Sequence, residues 1–235
     1  MLKKILKFLK IKNPNLLICN SKSFANRKII ESSRMPHIKN SFYDKNENDK
    51  FLIDMAGYLT YVGAIIVKRN LWLANYNKNK IGSFFAHIDC VASIKNNREV
   101  HYFRLPAIKM RLGSQTWLNK SFQIWYLFYP DIIWGLKNYS YEAKQKVIQR
   151  LPLNSIKLML AAKAYGRINF QIFKKYVLKS QEVIAIKKFI ILFIAILPTK
   201  FFSLIYVQYI KNFKNKHTIS FSPKLALAQI NRILK

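Results

Sequence analysis

The sequence predicts a mixed α+β protein, and three observations carry that prediction. Up to about residue 115, short apolar and β-branched runs such as NLLICN (15–20) and GAIIV (63–67) alternate with turn-rich stretches, as buried strands do. Beyond Ser114 glycine becomes rare and the apolar spacing turns helical. A hydrophobic content of 51% in 235 residues is enough for one sizeable core, or a core with an appended helical module. That content also sets the chain apart from disordered sequences, in spite of a formal charge of +31.

Along the chain, Leu2, Ile5, Leu6 and Leu9 fall at helical spacing among lysines, so residues 1–14 read as a basic amphipathic segment closed by Asn13-Pro14. Such a helix suits weak contact with a membrane surface. It lacks the uninterrupted apolar stretch and small-residue cleavage site of a signal peptide. NLLICN reads as a buried strand, and residues 21–50, ending in YDKNENDK, read as loop. Glycines 57 and 63 bracket a segment in which residues 63–67 read as strand, and KRNLWL starts a turn or helix. HIDCVASI (87–94) reads as a helix and NNRE as a turn. VHYFRLPAIKMRLG (100–113) reads as one or two strands broken at Pro106.

From Ser114 the segments TWLNKSFQIWYLFYPDIIWGL, SYEAKQKVIQRLP and LNSIKLMLAAKAYGRINFQIFKKYVLKS all carry helical spacing, with Ser140 as an N-cap. The domain reading is therefore 1–14, 15–115 and a helical 116–235. FIILFIAILP (189–198) is the most apolar stretch, bounded by Lys188 and Lys200 and ended by Pro198. It is shorter than the ~20 apolar residues of a membrane span. With FFSLIYVQYI it reads as two short interfacial or re-entrant helices over 189–210, or as a core hairpin. KNFKNKH beyond it could meet anionic headgroups. Trp125, Tyr126, Phe128, Tyr129 and Trp134 are dense enough for a membrane-interface belt, although their helical spacing is equally that of a core.

Forty-one Lys and Arg against ten acidic residues favour an anionic partner: nucleic acid, acidic headgroups or a phosphorylated substrate. The abundance of Lys, Asn and Ile also fits an AT-rich genome, so charge does not choose between them. The lysines are dispersed, and no zinc-finger, RNP or helix-turn-helix pattern is present, which argues against a specific nucleic-acid partner. Cys19 and Cys90 lie in apolar surroundings without a CxxC pair and read as buried free thiols. The four histidines are scattered; His87 with Asp89 is the one weak pair, so the sequence offers no metal site.

The series NLLICNSK, GYLTYVGAIIVKRNLWL, IGSFFAHID, LPAIKMRLGSQTW, FQIWYLFYPDIIWGL and YEAKQKVIQRLP resembles the later portion of family 2 glycosyltransferases, in order from about residue 15 to about residue 200. The nearest group is the abequosyltransferase-like enzymes of bacterial surface-polysaccharide assembly. The resemblance implies the acceptor-side portion of a GT-A fold, followed by a membrane-associating helical region. It implies transfer of a sugar from a nucleotide-sugar donor to a lipid-linked oligosaccharide acceptor, with Mg²⁺ or Mn²⁺, on the cytoplasmic side of an anionic membrane surface. The chain departs from that family in having no opening strand of the SIVIPTYN kind and no Asp-x-Asp element. It reads as beginning after the nucleotide-binding half, so that a separate nucleotide-binding chain would complete it and the chain alone would be inactive. The alternative is a non-catalytic basic protein of the membrane periphery, or one that binds nucleic acid.

Inverting glycosyl transfer needs a base for the acceptor hydroxyl and positive charge for the leaving diphosphate. Asp89 is the candidate base, since it follows an aromatic, glycine-bearing loop and resembles the acid that opens the family's acceptor-side helix. His87 is a second acceptor contact or the base itself, its ordinary pKa being near neutrality. An aspartate in an apolar run is also what a helix N-cap or a buried hydrogen bond calls for, and a histidine there is often a satisfied core residue. In Lys109-Met-Arg111-Leu-Gly113-Ser-Gln-Thr-Trp117, Arg111 and Lys109 can hold a phosphate, Gly113 allows close backbone approach and Trp117 can stack on a sugar. The same residues would also make a strand, a turn and a core indole.

Overall fold

The computed structural model describes residues 1–25, 28–35, 38, 41–44, 46–76, 78, 84–94, 99–111, 120–212 and 230–231. Helix makes up 59% of it and the rest centres on a mixed, curled sheet, which places the chain in the α+β class. It divides into two compact units, Met1–Ser114 with Ile132–Val147, and Gln115–Asp131 with Ile148–Lys235.

The first unit is built on β1 (Leu16–Ala25). Along one edge it pairs in parallel with β5 (Val100–Arg111). Its other edge is shared: Leu16–Ile18 pair antiparallel with β4 (Ile65–Val67), and Ser23–Ala25 with β2 (Lys28–Glu31). β3 (Phe42–Tyr43) closes the far edge of β5. Leu16, Leu17 and Ile18 are wholly buried, each contributing ~1.5–3 kcal/mol by leaving water.

β1 is longer than NLLICN predicts, and the expected 21–50 loop contains β2, β3 and the end of β1. The polar residues that suggest a loop are buried in the ladder, Ser21 opposite Ile108 and Ser23 opposite Met110. At the end of the expected strand Asn20 Nδ2 donates to Ser33 Oγ at 2.8 Å and to Arg104 O at 2.8 Å. Pro106 does not end the strand. The β1–β5 register jumps from Cys19↔Phe103 to Ser21↔Ile108. The proline therefore sits in an irregularity of the ladder, where a missing N–H costs little.

Helix α1 (Leu2–Lys12) ends on Asn13, whose φ of 41° is left-handed and whose N–H returns to Leu9 O at 2.9 Å. Ile5, Phe8 and Leu9 pack on Leu17, Cys19 and Phe103. The docked stripe is thus 5, 8 and 9, whereas Leu2 and Leu6 of the expected apolar face are exposed. Helix α2 (Asn48–Leu59) carries Gly57 within it, so that glycine does not bracket a strand. A 3-10 turn at Val62–Ala64, then β4, then α3 (Arg69–Asn75) follow, and α4 (Ala86–Ala92) packs on α2 and α3. Tyr139 returns to this unit, its hydroxyl donating to Ala92 O at 2.9 Å. Ser140 caps α7 (Tyr141–Val147) as its sequence predicts, Oγ accepting from Ala143 N at 3.1 Å.

The second unit is helical. Ser121–Gln123 (α5) passes through a π turn, Ile124–Phe128, into α6 (Tyr129–Gly135), within which the division between the units falls. α8 (Ile156–Ala164), capped by Ser155, ends in a Schellman turn. There Gly166 takes φ 64° and Arg167 N donates to Ala162 O at 2.8 Å. α9 (Phe170–Ile172) opens on the Asn169 side chain and runs into a second π turn at Phe173–Val177. α10 (Ala185–Ile196) and α11 (Thr199–Asn212) both pack on α8. Phe122, Met159, Phe173, Val177, Ile191 and Ile194 form the core. Tyr126 and Tyr129 are buried, and Trp125, Phe128 and Trp134 half-buried, which favours the core reading of the aromatic cluster.

Candidate functional site

Helix α4 sets both predicted residues of HIDCVA. His87 and Asp89 are two positions apart, so they leave the helix about 200° apart. His87 is tied to α2, its Nε2 lying 2.7 Å from Leu59 O. A carbonyl accepts only from a protonated ring nitrogen, so Nε2 carries the proton and the neutral ring keeps its lone pair on Nδ1. Burial pushes the imidazole below its ordinary pKa, opposed by that backbone hydrogen bond. His87 thus serves as an anchor between two helices, in the position of a core histidine. Asp89 lies in the first turn of α4, half-buried.

The ten carboxylates of the chain differ in what they do. Asp44 accepts from Asn46 N and Glu47 N, and Glu47 from Asp44 N and Lys50 Nζ. Asp49 accepts from Ser140 N at 2.9 Å, and Asp54 from the Tyr43 hydroxyl at 2.8 Å. Glu99, Asp131, Glu142 and Glu182 are exposed. Asp89 differs from these eight: it is half-buried, and its carboxylate makes no hydrogen bond or ion pair among the described residues. Glu31, the tenth, is buried and also has a carboxylate oxygen without a partner among them. Its charge is felt next door, where burial first and Asp89 second push the Cys90 thiol up to about 11.

On β5, Lys109 and Arg111 are exposed and alternate onto one face of the sheet. The parallel register sets Lys109 beside Lys22 and Arg111 beside Phe24. Three cations on neighbouring strand positions, with no carboxylate paired to them among the described residues, make a row suited to an anion. Gly113 and Trp117 lie outside the described residues, as does Gly82, which precedes α4 in the sequence. Among the described residues no hydrogen bond or ion pair joins Asp89 or His87 to Lys109 or Arg111.

A polar cluster on the opposite face of the same strands is absent from the sequence reading. Ser23 faces Glu31 across β1–β2 and Met110 across β1–β5. Arg34 covers them, Nη1 meeting Met110 Sδ at 3.3 Å, with its guanidinium 5.7 Å from the Tyr58 ring centroid. Tyr58 donates to Arg34 O at 2.6 Å. Burial lowers the Arg34 pKa and the Glu31 charge opposes it, while burial pushes Tyr58 up to about 12. Ser23 Oγ, Glu31 Oε2 and Arg34 Nε are buried without a hydrogen-bond partner among the described residues. The only local signal is a run of small polar residues (SKS, ESSR) in what looks like loop.

Among the described residues no three His, Cys, Asp or Glu side chains gather closely enough to hold a cation. They therefore provide no three-residue cage for the Mg²⁺ or Mn²⁺ of the family resemblance. Cys19 and Cys90 are buried free thiols, as their surroundings predict. No family model, no curated protein and no solved structure matches the chain.

Proposed function

We propose that this chain is the acceptor-side part of a GT-A glycosyltransferase, working with a nucleotide-binding half to move a sugar from a nucleotide-sugar to a lipid-linked oligosaccharide of bacterial surface-polysaccharide assembly. The supporting observation from the fold is Asp89. In a chain so poor in acids, it is a half-buried carboxylate that no hydrogen bond occupies among the described residues, unlike Asp49 and Asp54. In the reaction the acceptor hydroxyl oxygen bonds to the anomeric carbon, the bond from that carbon to the diphosphate oxygen breaks, and the hydroxyl proton passes to Asp89. Lys22, Lys109 and Arg111 supply the fixed positive charge that a diphosphate leaving group needs. His87 holds α4 against α2 and so sets where Asp89 stands.

The test is donor-sugar turnover in membranes from cells making the chain, with and without the product of the reading frame immediately upstream. Turnover with both, lost in Asp89→Asn, is the expected result. A removed general base typically costs ~10²–10⁴-fold. Undiminished turnover in Asp89→Asn, or none with any nucleotide-binding partner, refutes the reading.

A further inference from the structure

We infer that the outward faces of α10 and α11 form a membrane-inserting wedge that seats the second unit in one leaflet of an anionic bilayer. α10 is apolar on two sides. Ile191, Ile194 and Ala195 enter the core, while Ile186, Phe189, Ile190, Phe193 and Ile196, at i, i+3, i+4, i+7 and i+10, are all exposed, Phe189 at 58% and Phe193 at 55%. α11 repeats the pattern, with Ser203 buried and Phe201, Leu204 and Ile205 exposed. A contiguous apolar surface of this kind marks an interaction site.

Its dimensions choose how a membrane is met. Twelve residues of α10 span ~18 Å against a ~30 Å hydrocarbon core. α10 and α11 meet at 100°, so the pair does not make one straight span. The bend is built in. Lys163 Nζ donates to Ala195 O at 2.7 Å, and the Ser203 hydroxyl donates to Ala164 O at 2.8 Å, so the end of α8 holds both arms. Two short helices with an apolar outer face lie in the interfacial layer.

Charge chooses the occupant. Lys187 stands in the first turn of α10 and Lys200 in that of α11, with no acid in either turn, whereas Lys188 Nζ donates to Leu178 O at 2.9 Å. Lysine there opposes the helix dipole, so helix stability does not account for it. It suits phosphate headgroups flanking an inserted apolar face. Asp131 and Glu182 are the only acidic residues in the sequence of this unit. A second copy would bring like charge against like charge, whereas an anionic leaflet complements it. This surface is independent of the glycosyl-transfer reading, because bilayer binding needs neither donor nor acceptor.

The experiment is co-sedimentation of the full chain with vesicles of phosphatidylcholine alone and of phosphatidylcholine mixed with phosphatidylglycerol. Binding is expected on the mixed vesicles, at least ~10-fold weaker on the neutral ones and weakened by salt. The double variant Phe189→Ser/Phe193→Ser should lose at least ~10-fold of the binding with its circular dichroism unchanged, since both rings are exposed. Lys187→Gln/Lys200→Gln should lose binding on mixed vesicles only. Equal affinity for both vesicle types, no binding, or a lipid-free dimer that the phenylalanine variant dissolves would overturn the inference. A glycosyltransferase that fails to turn over would leave it standing.

Discussion

Asp49 and Asp89 make a paired prediction, because the fold uses one carboxylate and, among the described residues, leaves the other without a hydrogen bond. Asp49 Oδ1 accepts from the backbone N–H of Ser140 at 2.9 Å, across 91 positions of sequence. Ser140 in turn caps α7, which packs on α2, the helix that carries Asp49. Asp49→Ala removes a charged acceptor from a half-buried N–H. A hydrogen bond to a charged group contributes ~1.5–3 kcal/mol, and partial exposure puts this one near ~2 kcal/mol. At ~2–4 °C per kcal/mol for a chain of this size, the melting temperature should fall by ~4–8 °C.

Asp89→Asn removes no hydrogen bond among the described residues. It forfeits only the attraction of a negative charge for the first turn of α4, ~0.3–1 kcal/mol. Urea unfolding followed by circular dichroism distinguishes the two, the midpoint dropping clearly for Asp49→Ala and barely for Asp89→Asn. If Asp89→Asn costs ~2 kcal/mol or more, the carboxylate has a structural duty. Its assignment as the acceptor base would then lose its support.

What the sequence reveals here is what is encoded locally. The Ser140 cap, the α4 helix, the stop at Asn13 and the break before Pro198 each rest on a few adjacent residues. Strand β1 beyond Asn20 does not, because Ser21 and Ser23 look like loop until β5, tens of positions away, pairs with them. Pro106 looks like a break because a one-dimensional reading has no way to place it opposite a ladder irregularity. The docked stripe of α1 departs from the expected one for a related reason: Leu6 and Phe8 are both apolar, and only the sheet decides which is covered. The candidate site follows the same division. Asp89 is visible as an acid in an apolar run, but that its carboxylate has no hydrogen-bond partner among the described residues is a property of the whole fold. The Ser23–Glu31–Arg34 cluster exists only once three segments meet.

The remaining predictions concern titration and packing. His87 is held below its ordinary pKa, so its stabilising effect is complete above about pH 6.5 and is lost as pH falls through its lower folded value; His87→Gln should flatten the acid side of the stability profile. Cys19 and Cys90, with thiols pushed up to about 11, should react with a disulfide reagent at pH 8 only as fast as the chain unfolds. Ile5→Ala should cost ~2–3 kcal/mol and release α1 from the sheet, read as faster proteolysis within residues 1–14. Lys163→Met tests the bend. The ammonium is 3% exposed and meets the carbonyl of Ala195, and burial lowers its pKa. Over the pH range between that lowered value and the ordinary 10.5, the unfolded chain binds the extra proton, so the wild type gains stability relative to the variant as pH rises. Below that range the wild type holds a buried charge and the variant an unpaired carbonyl, two costs of similar size. A difference between the two proteins that does not grow from pH 8 toward 10.5 would mean that Lys163 reaches water, and that something other than its bond to Ala195 fixes the angle between α10 and α11.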